Sequence, residues 1–111
     1  IRYDFSNVNA WYISFGKLFG GLIIQGGKQS VNYADKAPVG AEYRFKLPIA
    51  YKSKCIAALG STETNLANGW TYVNINYAPD KSSISELTFH CWTDWDWSYK
   101  GFRLSVISFG F

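Results

Sequence analysis

An antiparallel all-β fold is predicted by three observations. Apolar and polar residues alternate with period two and not 3.6, turn-forming residues punctuate the chain at short intervals, and aromatic and β-branched residues are abundant. Of the 111 residues, 48% are hydrophobic, 19% aromatic and only 17% charged. That balance excludes intrinsic disorder and fits a single domain with one core. Short strands separated by frequent turns assemble as sandwiches or small barrels, so the expectation is a β-sandwich of about six to eight strands.

Residues 1–10 read as a connection to something upstream, and 11–111 as the domain. The candidate strands are, in order, Trp11–Phe15, Leu22–Gln25, Lys28–Tyr33, Glu42–Lys46, Lys54–Ser61, Thr71–Tyr77, Ser85–Trp92 and Phe102–Phe109. Each is rich in residues that suit a pleated, half-buried surface. Turns are expected at Gly20-Gly21, Gly26-Gly27, Pro38–Gly40, Asn68-Gly69, Pro79-Asp80 and Lys100-Gly101, where positive φ or a fixed proline φ is needed. The clearest alternation is 70–77, with Trp70, Tyr72, Asn74 and Asn76 on one face and Thr71, Val73, Ile75 and Tyr77 on the other. In the last strand Phe102, Leu104 and Val106 share a face, and Ile107 is expected to disturb the register.

Several functions are disfavoured at this level. The net charge is +3, with no basic block, so a nucleic-acid partner has no support. The longest apolar runs, Phe19–Ile24 and Leu104–Phe109, fall far short of the ~18 residues of a membrane span. The chain starts at Ile1 and contains no Met, so a piece of a longer protein is expected. Cys55 and Cys91 lie in apolar surroundings, where free thiols are commoner than a disulfide. The single histidine, His90, is the strand neighbour of Cys91, and neighbours point to opposite faces, so a nucleophile–base pair is not formed. One His and two Cys without ligand spacing make no zinc site, and Asp94 with Asp96 supplies too few oxygens for a calcium loop. Glu63, Glu86, Asp94 and Asp96 provide carboxylates for glycoside hydrolysis, but nothing in their spacing calls for it. No cofactor is expected, and the chain reads as a non-enzyme.

The most informative segment is 90–101. Trp92, Trp95, Trp97 and Tyr99 are interleaved there with Asp94, Asp96, hydroxyls and Lys100. Flat rings that cover the C–H face of a sugar, beside polar groups that bond its hydroxyls, are the composition of a polar-ligand site. The alternative is a stretch whose Trp95 and Trp97 are buried against another chain. A second set, Trp70, Tyr72 and Asn74, mixes rings and amides on one face, and an aromatic cross-strand ladder explains it equally well. Arg44, Lys46, Lys52 and Lys54 suit an acidic polysaccharide or, more simply, a solvated face.

The ordered motifs Gly20-Gly-Leu-Ile-Ile-Gln-Gly-Gly27, Phe45-Lys-Leu-Pro-Ile-Ala-Tyr51 with Cys55 after it, and the closing Ser105-Val-Ile-Ser-Phe-Gly-Phe111 resemble the C-terminal domain of bacteriophage tail fibre proteins of the gp53-like kind. The resemblance spans 16–111. It departs at Gly26, where that family usually has Trp, and at Leu47, which intervenes before Pro48. It implies that Leu22, Ile24, Phe45, Leu47, Ile49, Val106 and Phe109 are core or subunit-interface positions, and that Cys55 is a free thiol. It further implies a homotrimeric β-sandwich knob at the distal tip of a fibre on a virion. Such a knob attaches to a bacterial cell-surface glycan, commonly lipopolysaccharide. Trp92, Asp94, Trp95, Asp96, Trp97 and Tyr99 are then the leading contact set, and Trp70, Tyr72 and Asn74 the second. A carbohydrate-binding module of a secreted enzyme, a hydrolytic tailspike-type fragment and a purely structural trimerisation cap are the alternatives.

Overall fold

The computed structural model describes residues 1–32, 41–63, 74–92 and 101–111. It is a two-sheet antiparallel β-sandwich. The strands are β1 (Arg2–Asp4), β2 (Trp11–Ser14), β3 (Ile23–Asn32), β4 (Ala41–Lys46), β5 (Cys55–Glu63), β6 (Asn74–Tyr77), β7 (Glu86–Trp92) and β8 (Gly101–Gly110). They form a five-stranded sheet in the order β1-β2-β3-β8-β5 and a three-stranded sheet in the order β4-β7-β6.

The core lies between the sheets. Phe45 and Leu47 from the β4 side, Leu87, Phe89 and Cys91 from β7, and Leu104 and Val106 from β8 are all buried. Their i, i+2 spacing puts them on one face of each strand. Tyr51, in the connection between β4 and β5, closes the end of the core, and its hydroxyl lies 2.7 Å from Ser108 Oγ. Gln25 is fully buried and accepts the Ile49 backbone N–H at 3.0 Å. The Tyr51–Ser108 hydroxyls and the Gln25 carbonyl oxygen are bonded, which offsets their burial, whereas Gln25 Nε2 is a buried donor without a partner among the described residues. Gly60 is small for the same core: a Cβ there would meet Ile75 at 2.7 Å, Leu104 at 3.2 Å and Phe89 at 3.3 Å.

Three expectations are corrected. Gly26-Gly27 is not a turn, and the two strands expected around it are one ten-residue strand, β3. The glycines are there for close approach. A Cβ on Gly26 would sit 2.0 Å from the Val106 carbonyl oxygen, and one on Gly27 2.0 Å from that of Asn9. Second, Ile107 does not disturb β8. Leu104, Val106 and Ser108 alternate inward without a break, while Ile107 and Phe109 face out. Third, Arg2–Asp4 adds an edge strand to β2 that the turn-based reading passed over, although Arg2-Tyr3-Asp4-Phe5 already alternates. At Gly20-Gly21 the turn is as expected, with φ of 67° and 83°. Pro79 opens a short 3-10 turn, Pro79–Lys81.

Both cysteines are free thiols. Cys91 faces Ala41 in the three-stranded sheet and Cys55 pairs with Gly110 in the five-stranded one, which explains why they do not meet. Burial pushes the Cys91 thiol up to about 12.

Candidate functional site

The chain crosses between the sheets repeatedly at one end of the sandwich. At that end of the five-stranded sheet, Asn32 of β3 pairs with Gly101 of β8, and Glu63, the last residue of β5, pairs with Arg103. At the corresponding end of the three-stranded sheet, Ala41 of β4 pairs with Cys91, and Asn74 of β6 with Trp92 of β7. The connections 33–40, 64–73 and 93–100 therefore all start and finish at this loop end. Two of them are the ring-rich stretches singled out in the sequence. Their strand-borne anchors, Asn74 and Trp92, are direct cross-strand partners although 18 positions apart in the chain.

Of the sequence-predicted contact residues, Asn74 and Trp92 lie at these strand ends. Asp94, Trp95, Asp96, Trp97, Tyr99, Trp70 and Tyr72 lie outside the described residues, as do the expected turns at Pro38–Gly40 and Asn68-Gly69. Sequence reasoning weighed His90 only as a catalytic base or a zinc ligand and disfavoured both. The structure places it, with Asn76 and Glu42, in one cross-strand row, the outward row next to the Asn74–Trp92 pair. His90 Nε2 is 3.6 Å from Glu42 Oε1, and Lys81 Nζ donates to the same carboxylate. The Lys81 hydrogen bond is the main reason the Glu42 carboxyl is held below the usual range, with Lys81, His90 and Arg44 adding charge attraction. This exposed row of amide, imidazole, carboxylate and ammonium groups can bond hydroxyls of a polar ligand. Its signal in the sequence is the polar half of the alternation in Asn74–Tyr77 and Glu86–Trp92.

Arg44, Lys46, Lys52 and Lys54 are all exposed. Arg44 lies 3.8 Å from Glu86 on the same sheet face, an arrangement of solvated charges and not a converging pocket. His90 is exposed while Cys91 is fully buried, so the two point apart, as strand geometry requires.

The fold has counterparts among solved structures. A P. aeruginosa R1 pyocin fibre comprising C-terminal residues 323–701 superposes with a TM-score of 0.75 at 14% identity, over 100% of this chain and 28% of that one. An N-truncated R1-type pyocin tail fibre gives 0.74 at 14% identity, over 100% of this chain and 87% of that one. An N-truncated R2-type pyocin tail fibre gives 0.70 at 14% identity, over 99% and 37%. This chain thus spans little more than a quarter of the first of these structures. The likeness is one of fold. No family model and no curated protein sequence matches the chain.

Proposed function

We propose that this chain is the receptor-binding tip domain of a phage-type tail fibre of the gp53-like kind. In this reading it is a non-enzymatic adhesin carried as a homotrimer on a virion or phage-tail-like particle. It attaches to a bacterial cell-surface glycan, lipopolysaccharide foremost, through the loop end. The observation that carries the reading is the superposition of the entire chain on pyocin tail fibres. Supporting it, the connections that hold the Trp/Asp-rich and Trp/Tyr-rich sequences are anchored side by side at Asn74 and Trp92. Loops on a rigid sandwich can vary in sequence without cost to the scaffold, which suits them to recognition. Each site need hold a sugar only weakly, because several sites per fibre multiply the effective affinity.

The test is binding of the purified protein to host cells and to isolated lipopolysaccharide. Trp95→Ala and Trp97→Ala are expected to abolish binding while melting temperature and solution mass stay as in the parent. Variants that unfold or change mass would assign those rings to core or interface, and variants that bind normally would remove them from the site.

A further inference from the structure

The outer face of the five-stranded sheet holds a trough of about 540 Å³. That volume lies within the ~300–1,000 Å³ usual for small-molecule sites. Two adjacent cross-strand rows, about 7 Å apart along the strands, make its floor and walls. The row nearer the loop end is polar and holds Lys28 of β3, Ser105 of β8 and Ser61 of β5. The other is apolar, with Trp11 of β2, Gly26, Ile107 and Leu59. A Cβ on Gly26 would sit 2.9 Å from the Trp11 ring, so the ring lies against the bare β3 backbone and leaves the space before it open.

Beyond the polar row two cationic side chains cross the sheet in opposite directions. Lys28 reaches from β3 over β8 to Glu63 of β5, at 2.6 Å, and Arg103 reaches from β8 over β3 to Asn9 Oδ1, at 2.9 Å. They close the loop-end side of the trough. Their charges do not balance: Glu63 answers Lys28, whereas Arg103 has only a neutral amide as its side-chain partner among the described residues. That amide oxygen occupies one of the guanidinium's five N–H donors and none of its charge. A phosphate or carboxylate meeting the remaining donors gains a charge-assisted, two-pronged contact.

These features together select a ligand. The C–H face of a sugar ring suits Trp11, Ile107 and Leu59, and its edge hydroxyls suit Ser61 and Ser105, whose own hydroxyls bond no other described side chain. A charged sugar also carries the anion that Arg103 lacks. An acyl chain would strand the serine hydroxyls against hydrocarbon, and a nucleic-acid backbone needs a track of cations where this trough offers one in excess. We infer that the trough is a second saccharide site, separate from the loop end, which takes an anionic sugar with its ring over Ile107 and its phosphate or carboxylate on Arg103. This rests on the adhesin reading of the chain, to which it adds a preference for charged over neutral glycan.

The experiment is an amide NMR titration of the 111-residue chain with α-glucosyl phosphate, glucuronate, glucose and inorganic phosphate. The charged sugars are expected to shift the Trp11 indole signal and the Ser105 and Arg103 amides with millimolar affinity, and the tighter of the two names the anion. Glucose is expected to bind about ten-fold more weakly, and Arg103→Gln to weaken the charged sugars by about the same factor. Arg44→Gln, an equal loss of charge on the opposite sheet, should leave the titration as in the parent. Arg103 is exposed, so its variant keeps the fold, and circular dichroism checks this. Glucose binding as tightly as its charged relatives, an Arg103→Gln titration like the parent's, or no shift at Trp11 would each overturn the proposal. So would inorganic phosphate moving the same signals with the same affinity, which reduces the trough to a bare anion contact. Host-cell binding reports separately. A chain that titrates with charged sugars at Trp11 but ignores bacterial surfaces sinks the adhesin reading and leaves the trough; one that binds cells through Trp95 and Trp97 with no shift at Trp11 does the reverse.

Discussion

On the three-stranded sheet the outward positions of β4 are Glu42, Arg44 and Lys46, opposite His90, Thr88 and Glu86 of β7. On the five-stranded sheet the outward positions of β8 run from Arg103 and Ser105 near the loop end to Ile107 and Phe109, the last two with Leu59, Ile24 and Trp11 beside them. The inner faces of both sheets build the same core. A strand that serves one core alternates cleanly, whereas a strand that is apolar on both faces is made for burial on both. The two sheets of one small sandwich therefore present different outer surfaces, charged on the one and partly apolar on the other.

The difference can be broken hardest at the glycines. Gly26→Val forces a side chain into a space where even a Cβ would lie 2.0 Å from the Val106 carbonyl oxygen and 2.9 Å from the Trp11 ring. A loss of more than about 3 kcal/mol is expected, read by thermal or urea unfolding. A loss under 1 kcal/mol would mean that β3 and β8 can separate locally at little cost.

Each sheet also carries one thiol, and these should differ in reactivity by orders of magnitude. Half-buried Cys55 is expected to react with a disulfide reagent in the native protein, and fully buried Cys91 only after unfolding. The folded chain holds the Cys91 proton up to about 12, whereas an unfolded thiol sheds it from its ordinary value of 9.0. Raising the pH through that window therefore favours the unfolded state. The contribution is fully present below pH 9 and is lost above it. Urea midpoints measured from pH 7 to 11 should fall in the parent and fall less in Cys91→Ala.

On the charged sheet the effects shrink. Thr88 is the one residue of the β4–β7 outward rows that is buried, and its Oγ1 donates to the Lys81 carbonyl at 2.9 Å. Thr88→Ala should cost about 1 kcal/mol by equilibrium unfolding. Arg44→Ala removes a solvent-exposed ion pair and should change stability by less than about 0.5 kcal/mol, with the solution mass unchanged. A larger loss there would show that the charged face is structural after all.

The sandwich is legible because period-two patterning survives at single-sequence level: Leu104 and Val106 share a face by spacing alone, and the structure turns that face inward. Ile24 and Phe109, assigned by resemblance to the core or a subunit interface, lie on the outer face and not in the core, where Ile23 fills the inward place. Alternation cannot say which of two apolar faces is the inner one, because that depends on which sheet lies opposite. Gly26-Gly27 was misread for a related reason. The same residue type serves a tight turn and a close approach of two backbones, and only tertiary structure separates them. Of the candidate site, the meeting of Asn74 with Trp92 was not readable, since it is a property of strand order. The row of Glu42, His90 and Asn76 was hidden because its members come from three separate strands.

The strand order also governs how the molecule comes into being. β8 lies between β3 and β5, and Val31 pairs with Phe102 and Asn32 with Gly101. As the polypeptide emerges, β1, β2 and β3 can zip into a small meander early, but β5 has no neighbour in its sheet until Gly101–Gly110 has been made. The larger sheet is thus completed by its latest strand, slipped between two that have been waiting, and pairings this distant in sequence close slowly. A chain broken off before residue 101 leaves two raw sheet edges and a core that lacks Leu104 and Val106, a species fit for aggregation or degradation and not for assembly.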